Sequence, residues 1–385
     1  MQNSAKGHTD GVASAKKAMV SSAVAVVAVL LATLWPLKPF PKNGVTWASG
    51  DGGLNFQKAG LVVSKEVVDP SKSNDSQSYT FELLLRSANI RSSGTIVSFY
   101  DPTHPRQLQA WQWRNGLVVT HDASVESDST QTIKFFVDHV LYTAKLVLIA
   151  VSSGRNGTTV YVDGQPAQHF PRFKISSSDL SGGIFIGTSP VRYDPWSGEV
   201  RGLAIYAKDL TPEEASQHYR VWTATSDDTH ADLEAALARY TFKEGAGTQI
   251  RNEVASGPVL EIPSFFSVPH KYFLQSPVQE FKPSWKYVDE IVMNIAGFVP
   301  LGLIISSYFV WTRTRWKTIL AATISCGLLS FAIEVMQFYI PRRGSGGTDI
   351  ITNTLGAAVG AMLLHSRLPR QVMQKIGLVP ADLAV

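Results

Sequence analysis

Asp349-Ile350-Ile351-Thr352-Asn353-Thr354-Leu355-Gly356-Ala357-Ala358-Val359-Gly360 sets two polar side chains and two glycines at i, i+4, i+7 and i+11. That spacing is one face of a helix, and the remaining positions are apolar or Thr. Upstream, Glu290, Asn294 and Gly297 repeat the start of the pattern, and Glu334 and Gln337 share a face on a second apolar run. Pro341-Arg342-Arg343-Gly344-Ser345-Gly346-Gly347 separates that run from the quoted one. The three apolar runs cover 288–310, 318–340 and 350–364. Polar side chains in lipid-spanning helices are costly and rare, so a set recurring from helix to helix is expected to mark a functional site.

The rest of the chain divides by texture. Residues 1–17 are polar and small and end in Lys16-Lys17, the composition of a disordered tail. A nearly unbroken Ala/Val/Leu run fills 18–35, about 27 Å as helix and close to the thickness of a bilayer's hydrocarbon core. We read 18–37 as a first transmembrane helix. A cleaved signal peptide is the competing reading, but the run is long for a signal core and Trp35-Pro36 stands where small residues would be needed. Residues 42–262 alternate polar and apolar in short segments, among them 80–85, 94–100, 108–113, 146–152, 158–162, 183–187 and 198–206. Many short strands with turns between them predict an antiparallel β-sandwich. Asn115-Gly116 and Asp163-Gly164 are hairpin-turn dipeptides. Thr211 and Glu214 form a capping box for a helix over 211–219. Residues 263–287, rich in Pro, Phe and Ser, read as a linker to the bundle at 288–364, and 365–385 as a tail.

Charge orders the spans. Arg313, Arg315 and Lys317 lie between the first two C-terminal runs, and Arg367, Arg370 and Lys375 follow the last. By the positive-inside rule these share the cytoplasmic side with Lys16-Lys17. The expectation is four spans in the cell (inner) membrane, both termini cytoplasmic and the sandwich periplasmic or extracellular. Arg342 and Arg343 break the rule and read as kept for another purpose. Asn294, Glu334 and Asn353 then lie roughly 6 to 9 Å below the outer helix ends. They would converge in an outward-opening pocket, which Gly297, Gly356 and Gly360 close by allowing near backbone approach.

Composition excludes several classes. The formal charge is only +4 and no basic stripe carries interleaved aromatics, so nucleic-acid binding is not expected. Cys326 is the one cysteine, which rules out an intrachain disulfide and a Cys-based metal site. Trp111 and Trp113 share a strand face; exposed they would make a platform for a sugar ring, and buried they would be ordinary core. Asp51, Asp101 and Asp194 fall near predicted loops, but no calcium-loop spacing surrounds them, so no metal and no cofactor is expected.

Two resemblances follow from these residues. Val160-Tyr161-Val162-Asp163-Gly164, Gly183-Ile184-Phe185-Ile186-Gly187, residues 198–206 with Leu210-Thr211-Pro212-Glu213-Glu214, and residues 238–247 resemble the concanavalin A-like, laminin-G-like domains. In such a domain 238–247 would close the sandwich beside 45–63. Asn294-Ile295, Phe298-Val299-Pro300-Leu301-Gly302, Glu334-x-x-Gln337, Pro341-Arg342 and Asp349-x-x-x-Asn353-x-x-Gly356-x-x-x-Gly360 resemble the VanZ-like bacterial membrane family, as does Thr33-Leu34-Trp35-Pro36 for its first helix. The combined architecture is a laminin-G-like domain inserted into the first outer loop of a VanZ-like bundle. The resemblance implies a place in the cell envelope and, for the family's founding members, glycopeptide-antibiotic resistance.

Three roles fit the polar set. It can bind a lipid-linked or anionic head group, with Arg342 and Arg343 on phosphate and Glu290, Asn294, Gln337, Asn353 and the acids on hydroxyls. It can be a membrane enzyme acting on an envelope lipid or glycan, with Glu334 as general base or nucleophile and Asp349 as acid or metal ligand, although no nucleophile-elbow, His-rich or metal-binding motif accompanies them. It can be a scaffold in which charges and amides pin helix to helix. The partners expected are membrane lipids and an envelope glycan or other envelope proteins.

Overall fold

The computed structural model describes residues 2–50, 52–70, 77–102, 107–122, 132–143, 145–224, 235–255, 257–281 and 283–381. The chain forms two compact units, one from Met1–Pro39 with Tyr272–Val385, the other from Phe40–Lys271. The first opens with helix α1 (Gln2–Leu34). The expected disordered tail is thus helix from Gln2 onward; once the apolar run nucleates α1, adding residues at its N-terminus costs little.

In the Phe40–Lys271 unit, β1 (Val45–Trp47), β2 (Leu54–Phe56) and β3 (Val62–Ser64) are short. Long strands follow: β4 (Tyr79–Ser87), β5 (Ser93–Tyr100), β6 (Gln107–Trp113) and β7 (Gly116–Asp122). Then come β8 (Thr132–Val137), β9 (Val147–Gly154), β10 (Gly157–Val162) and β11 (Gln165–Phe170). After the short α2 (Ser177–Leu180), β12 (Gly183–Ile186) and β13 (Gly198–Tyr206) lead into α3 (Pro212–Thr223). β14 (Ala236–Tyr240), β15 (Gln249–Ile250) and β16 (Leu260–Glu261) complete the set.

Two antiparallel sheets result, β1-β2-β13-β4-β9-β10-β11 with β14 also on β13, and β15-β16-β3-β12-β5-β6-β7-β8. Alternate residues of both fill one core, including Phe81, Leu83, Leu85, Phe99, Leu108, Ile149, Val151, Ile184 and Ile205. Trp196, fully buried, is the largest side chain in it. α3 starts at the expected Thr211–Glu214 capping box and covers the outer face of the first sheet. There His218 and Trp222 both reach the buried Glu82 carboxylate, at 2.8 and 2.7 Å, so each of its oxygens has a partner.

Three details differ from the sequence reading. Residues 238–240 belong to β14, which pairs with β13; the bonds from Gly53 N to Phe242 O and from Trp47 Nε1 to the Gly247 carbonyl link 238–247 to the 45–63 segment, and β16 pairs with β3. The turn joining β6 to β7 is Arg114-Asn115, one residue earlier than expected, with Gly116 already in the strand opposite Trp113. A bare Gly is needed there because the Phe136 ring lies where a Cβ would stand. Phe266 and Val268 of the expected linker are buried in the Phe40–Lys271 unit, Phe266 beside Leu61, Tyr100 and Phe185.

In the other unit, α4 (Pro277–Glu280) precedes α5 (Trp285–Phe309), α6 (Arg315–Phe338), α7 (Gly347–Leu363) and α8 (Arg367–Lys375). Residues 12–34 of α1, α5 and α6 are each long and apolar enough to cross a membrane. α7 has 17 residues, about 25 Å, and is short for a span on its own. α6 leaves Leu320, Ile324, Leu328 and Phe331 exposed along one stripe, the surface a lipid-facing helix presents. Inside, Phe298, Leu301, Ile305, Ala322, Cys326, Ile333, Ala357 and Ala361 pack with Leu34 of α1. Gly297 is not part of the close approach: it is exposed and has open space around it. The contact runs along another side of α5, from Ile295 to Leu303. A Cβ on Gly356 or Gly360 would strike the carbonyls of Ile295 or Val299, and one on Gly302 the backbone of Ala357. The C-terminal residues expected as a tail form α8 instead, because Met373, Leu378 and Val379 have an apolar seat against Ala18, Val310 and Leu364.

Gly356→Leu is therefore expected to lower the stability of the detergent-solubilised protein by about 1–3 kcal/mol. Gly297→Leu should leave it unchanged, and thermal unfolding of the two variants side by side checks this.

Candidate functional sites

On β6 the residue that enters the core is Gln112, not a tryptophan. Leu108, Ala110 and Gln112 point inward, and the alternation of the strand turns Trp111 and Trp113 outward. Gln112 is tied on all sides: its Oε1 accepts from Trp196 Nε1 at 2.7 Å and Ser87 Oγ at 2.9 Å, and its Nε2 donates to the carbonyls of Asn89 and Arg114. Trp196 already fills this part of the core and needs an acceptor for its indole N–H, which a tryptophan at position 112 could not supply.

Outside, Trp111 is half-buried and Trp113 is 49% exposed. Their rings meet edge to face, with centroids 5.9 Å apart and planes at 78°. Register brings Val118 and Phe136 alongside Trp111. Together with Arg114, Asn115, Lys134, Asp138 and His139 these residues line a groove of about 700 Å³, a size that suits a small ligand. The neighbouring β5 is closed off on the same face by Pro195, which bridges Thr95, and by Asp194, which accepts from Thr95 Oγ1 at 2.7 Å. The platform therefore begins at β6. Asp194 also lies 3.5 Å from Arg192. Asp51 lies outside the described residues, and among those residues no three His, Cys, Asp or Glu side chains group closely enough to hold a metal ion.

In the helical unit the polar set is joined within itself. Asn294 Nδ2 donates to Asp349 Oδ1 at 2.7 Å, linking α5 to α7. Asn353 Nδ2 donates to Ser330 Oγ at 2.9 Å, linking α7 to α6, and Gln337 Nε2 reaches the Thr33 carbonyl of α1 at 3.1 Å. Glu334, 2% exposed, accepts the backbone N–H of Gly346 at 2.8 Å. Arg343 donates to the Trp35 carbonyl at 2.9 Å, while Arg342 faces outward. Glu290 does not join the others: its side chain is 60% exposed and 4.0 Å from Lys286, on a side of α5 turned away from α7, although Tyr287 before it still meets Thr348.

The Glu334 bond has a structural logic that the spacing of polar residues did not reveal. α7 starts after Gly346, an N-cap with no side chain to satisfy the helix's first N–H groups. Other segments supply the acceptors. Glu334 of α6 takes Gly346 N, the Gln275 carbonyl takes Gly347 N at 2.8 Å, and Glu280 of α4 takes Thr348 N at 2.9 Å. Two carboxylates thus sit at the positive end of the helix dipole. Glu280 is absent from the sequence-based candidates; the Gly344-Ser345-Gly346-Gly347 run, which leaves a helix without its own cap, is the signal that points to an outside acceptor.

Comparison with known proteins assigns each unit. A VanZ/LLP1 model matches residues 239–368, and a concanavalin A-like lectin/glucanases superfamily model matches residues 64–216. No curated protein matches the chain. Among solved structures, the CBM40 of the Ruminococcus gnavus IT-sialidase bound to alpha2,3 sialyllactose is 10% identical, covering 44% of this chain and 96% of its own, with TM-score 0.35. A heptameric SAP-like pentraxin from Limulus polyphemus is 12% identical over 59% of this chain and 95% of its own, with TM-score 0.34. A putative carbohydrate binding protein from Bacteroides ovatus is 12% identical over 59% of each chain, with TM-score 0.37. The chain is a membrane protein in which a VanZ/LLP1 segment is joined to a concanavalin A-like, laminin-G-type sandwich.

Proposed function

We propose that the protein is a membrane-anchored recognition protein whose sandwich binds an envelope glycan in the Trp111–Trp113 groove. The exposure of Trp113 beside Trp111 and Phe136 carries the reading, since a large aromatic left out of a core that had room for Gln112 is available to stack on a sugar ring. Arg114, Asn115, Lys134 and Asp138 surround it with donors and acceptors for hydroxyls. Trp113→Ala is expected to weaken glycan binding by about tenfold or more. A glycan array probed with the full-length protein in detergent checks it, and equal signals for variant and native protein would sink the assignment.

For the bundle, the geometry favours the scaffold role over a head-group pocket. A head group at Glu334 or Asp349 would compete with bonds these residues already make, and the carboxylates of Glu334 and Glu280 would repel an anion from the α7 N-terminus. Glu334→Leu, which leaves Gly346 N without its acceptor, should then cost about 1–3 kcal/mol of stability. Glu334→Gln, which can still accept, should cost less. Loss of a bound lipid from Glu334→Gln in native mass spectrometry, with thermal stability unchanged, would favour the head-group pocket instead.

The topology proposed is four spans, with α7 supplying the last, both ends cytoplasmic and the sandwich outside. A cysteine at Asn115 should react with an impermeant reagent added outside intact cells, while the buried Cys326 stays silent. Labelling from the cytoplasmic side alone would reverse the arrangement.

A further inference from the structure

At the end of α7 remote from Gly346 the chain passes through Leu364, His365 and Ser366 into α8, and the two helices are bent by 77°. A helix at nearly a right angle to a spanning neighbour lies along the membrane surface rather than through it. Its residues sort into two faces at helical spacing: Arg367, Arg370, Gln371, Gln374 and Lys375 on one, Leu368, Val372, Met373 and the C-cap Ile376 on the other. Met373 is packed against Ala18, Val310 and Leu364. Leu368, Val372 and Ile376, four apart, are 75, 57 and 47% exposed. Half of the apolar face is thus uncovered among the described residues.

His365 sits at the elbow and is only 3% exposed, yet neither of its ring nitrogens meets a partner among the described residues. A buried imidazole left in that state is costly, and a ligand that accepts its N–H recovers the loss. Burial first, then the charges of Arg315 and Arg370, hold its pKa below the ordinary value, so at neutral pH it is an uncharged ring with one N–H to donate. The described residues of the neighbouring segments are basic. Residues 311–333 hold Arg313, Arg315 and Lys317 and no Asp or Glu; residues 364–381 hold Arg367, Arg370 and Lys375 and again none. Lys17 reaches the same place, its ammonium donating to the Ile376 carbonyl at 2.7 Å.

We propose that the α7–α8 elbow binds the phosphate-bearing headgroup of an anionic phospholipid. The His365 N–H, Arg315 and Arg370 take the phosphate oxygens, and Leu368, Val372 and Ile376 enter the upper acyl region. Charge selects an anionic over a zwitterionic lipid. The uncovered apolar stripe selects a lipid over free phosphate. The site is independent of the sandwich groove and lies at the other end of α7 from Glu334.

Native mass spectrometry of the full-length protein in detergent, titrated with phosphatidylglycerol and with phosphatidylcholine, tests it. The native protein should retain phosphatidylglycerol in preference, and Arg315→Gln and Arg370→Gln should each cut that preference about fivefold. His365→Phe should reduce it without altering phosphatidylcholine retention. Leu368→Ser, at an exposed position that folding does not depend on, should weaken retention of both lipids. Equal retention of the two lipids by the native protein would overturn the proposal, as would unchanged preference in Arg315→Gln and Arg370→Gln. Inorganic phosphate that raises the melting temperature as much as phosphatidylglycerol, through the same residues, would make this a free-anion site and overturn the lipid assignment. Should His365→Phe fail to fold, Arg315→Gln, whose side chain is exposed, decides alone.

Discussion

The helical unit depends on how α7 begins. Its first turn offers backbone donors with no capping side chain of its own. Glu334, Glu280 and the Gln275 carbonyl meet that need, and in doing so they fix α6, α4 and the 275 segment to one point. Once that end is set, Asn294 with Asp349 and Asn353 with Ser330 hold α7 to its two neighbours further in. The glycine contacts at 302, 356 and 360 bring α5 and α7 close enough for the first of these pairs to form. Asn294, Asp349, Asn353, Gln337 and Glu334 of the polar pattern each make a bond from one helix to another segment of the unit.

The sandwich solves a different problem. Two sheets of mixed strand order enclose one core, and their outer faces are covered unevenly. α3 closes one face over Glu82, and the segment around Pro195 closes part of the other, which leaves β6 to β8 as the open surface. The groove lies there because nothing folds over it, and its aromatic lining follows from the register of β6 on β7 and β8. The two units thus divide the work: one is organised to fill a membrane with paired polar groups inside it, the other to present an aromatic surface.

Much of this was legible from residue order. Apolar run length identified the membrane helices, alternation identified the strands, and Asp163-Gly164 and Thr211–Glu214 marked a turn and a cap that form as expected, with positive φ at both turn residues. These are local properties, each decided by a few adjacent side chains and the backbone. Helical spacing likewise put Asn294 and Asp349 on faces that meet. Spacing failed for Gly297 and Glu290, which lie two turns apart on one exposed stripe of α5, since a shared helical face does not by itself say which face the neighbour packs on.

Tertiary structure alone decided two matters. Trp111-Gln112-Trp113 alternates equally well with either residue type inward, and it is Trp196, more than eighty positions away, that claims the core and demands a glutamine there. Glu334 reads in sequence as a candidate base or ligand, whereas its partner is the backbone of a helix twelve residues on. The sequence by itself determined where the long apolar helices and the strand-rich region lie, because those follow from side-chain periodicity and transfer free energy. Which polar group meets which, and which aromatic stays outside, depended on packing between segments distant in the chain.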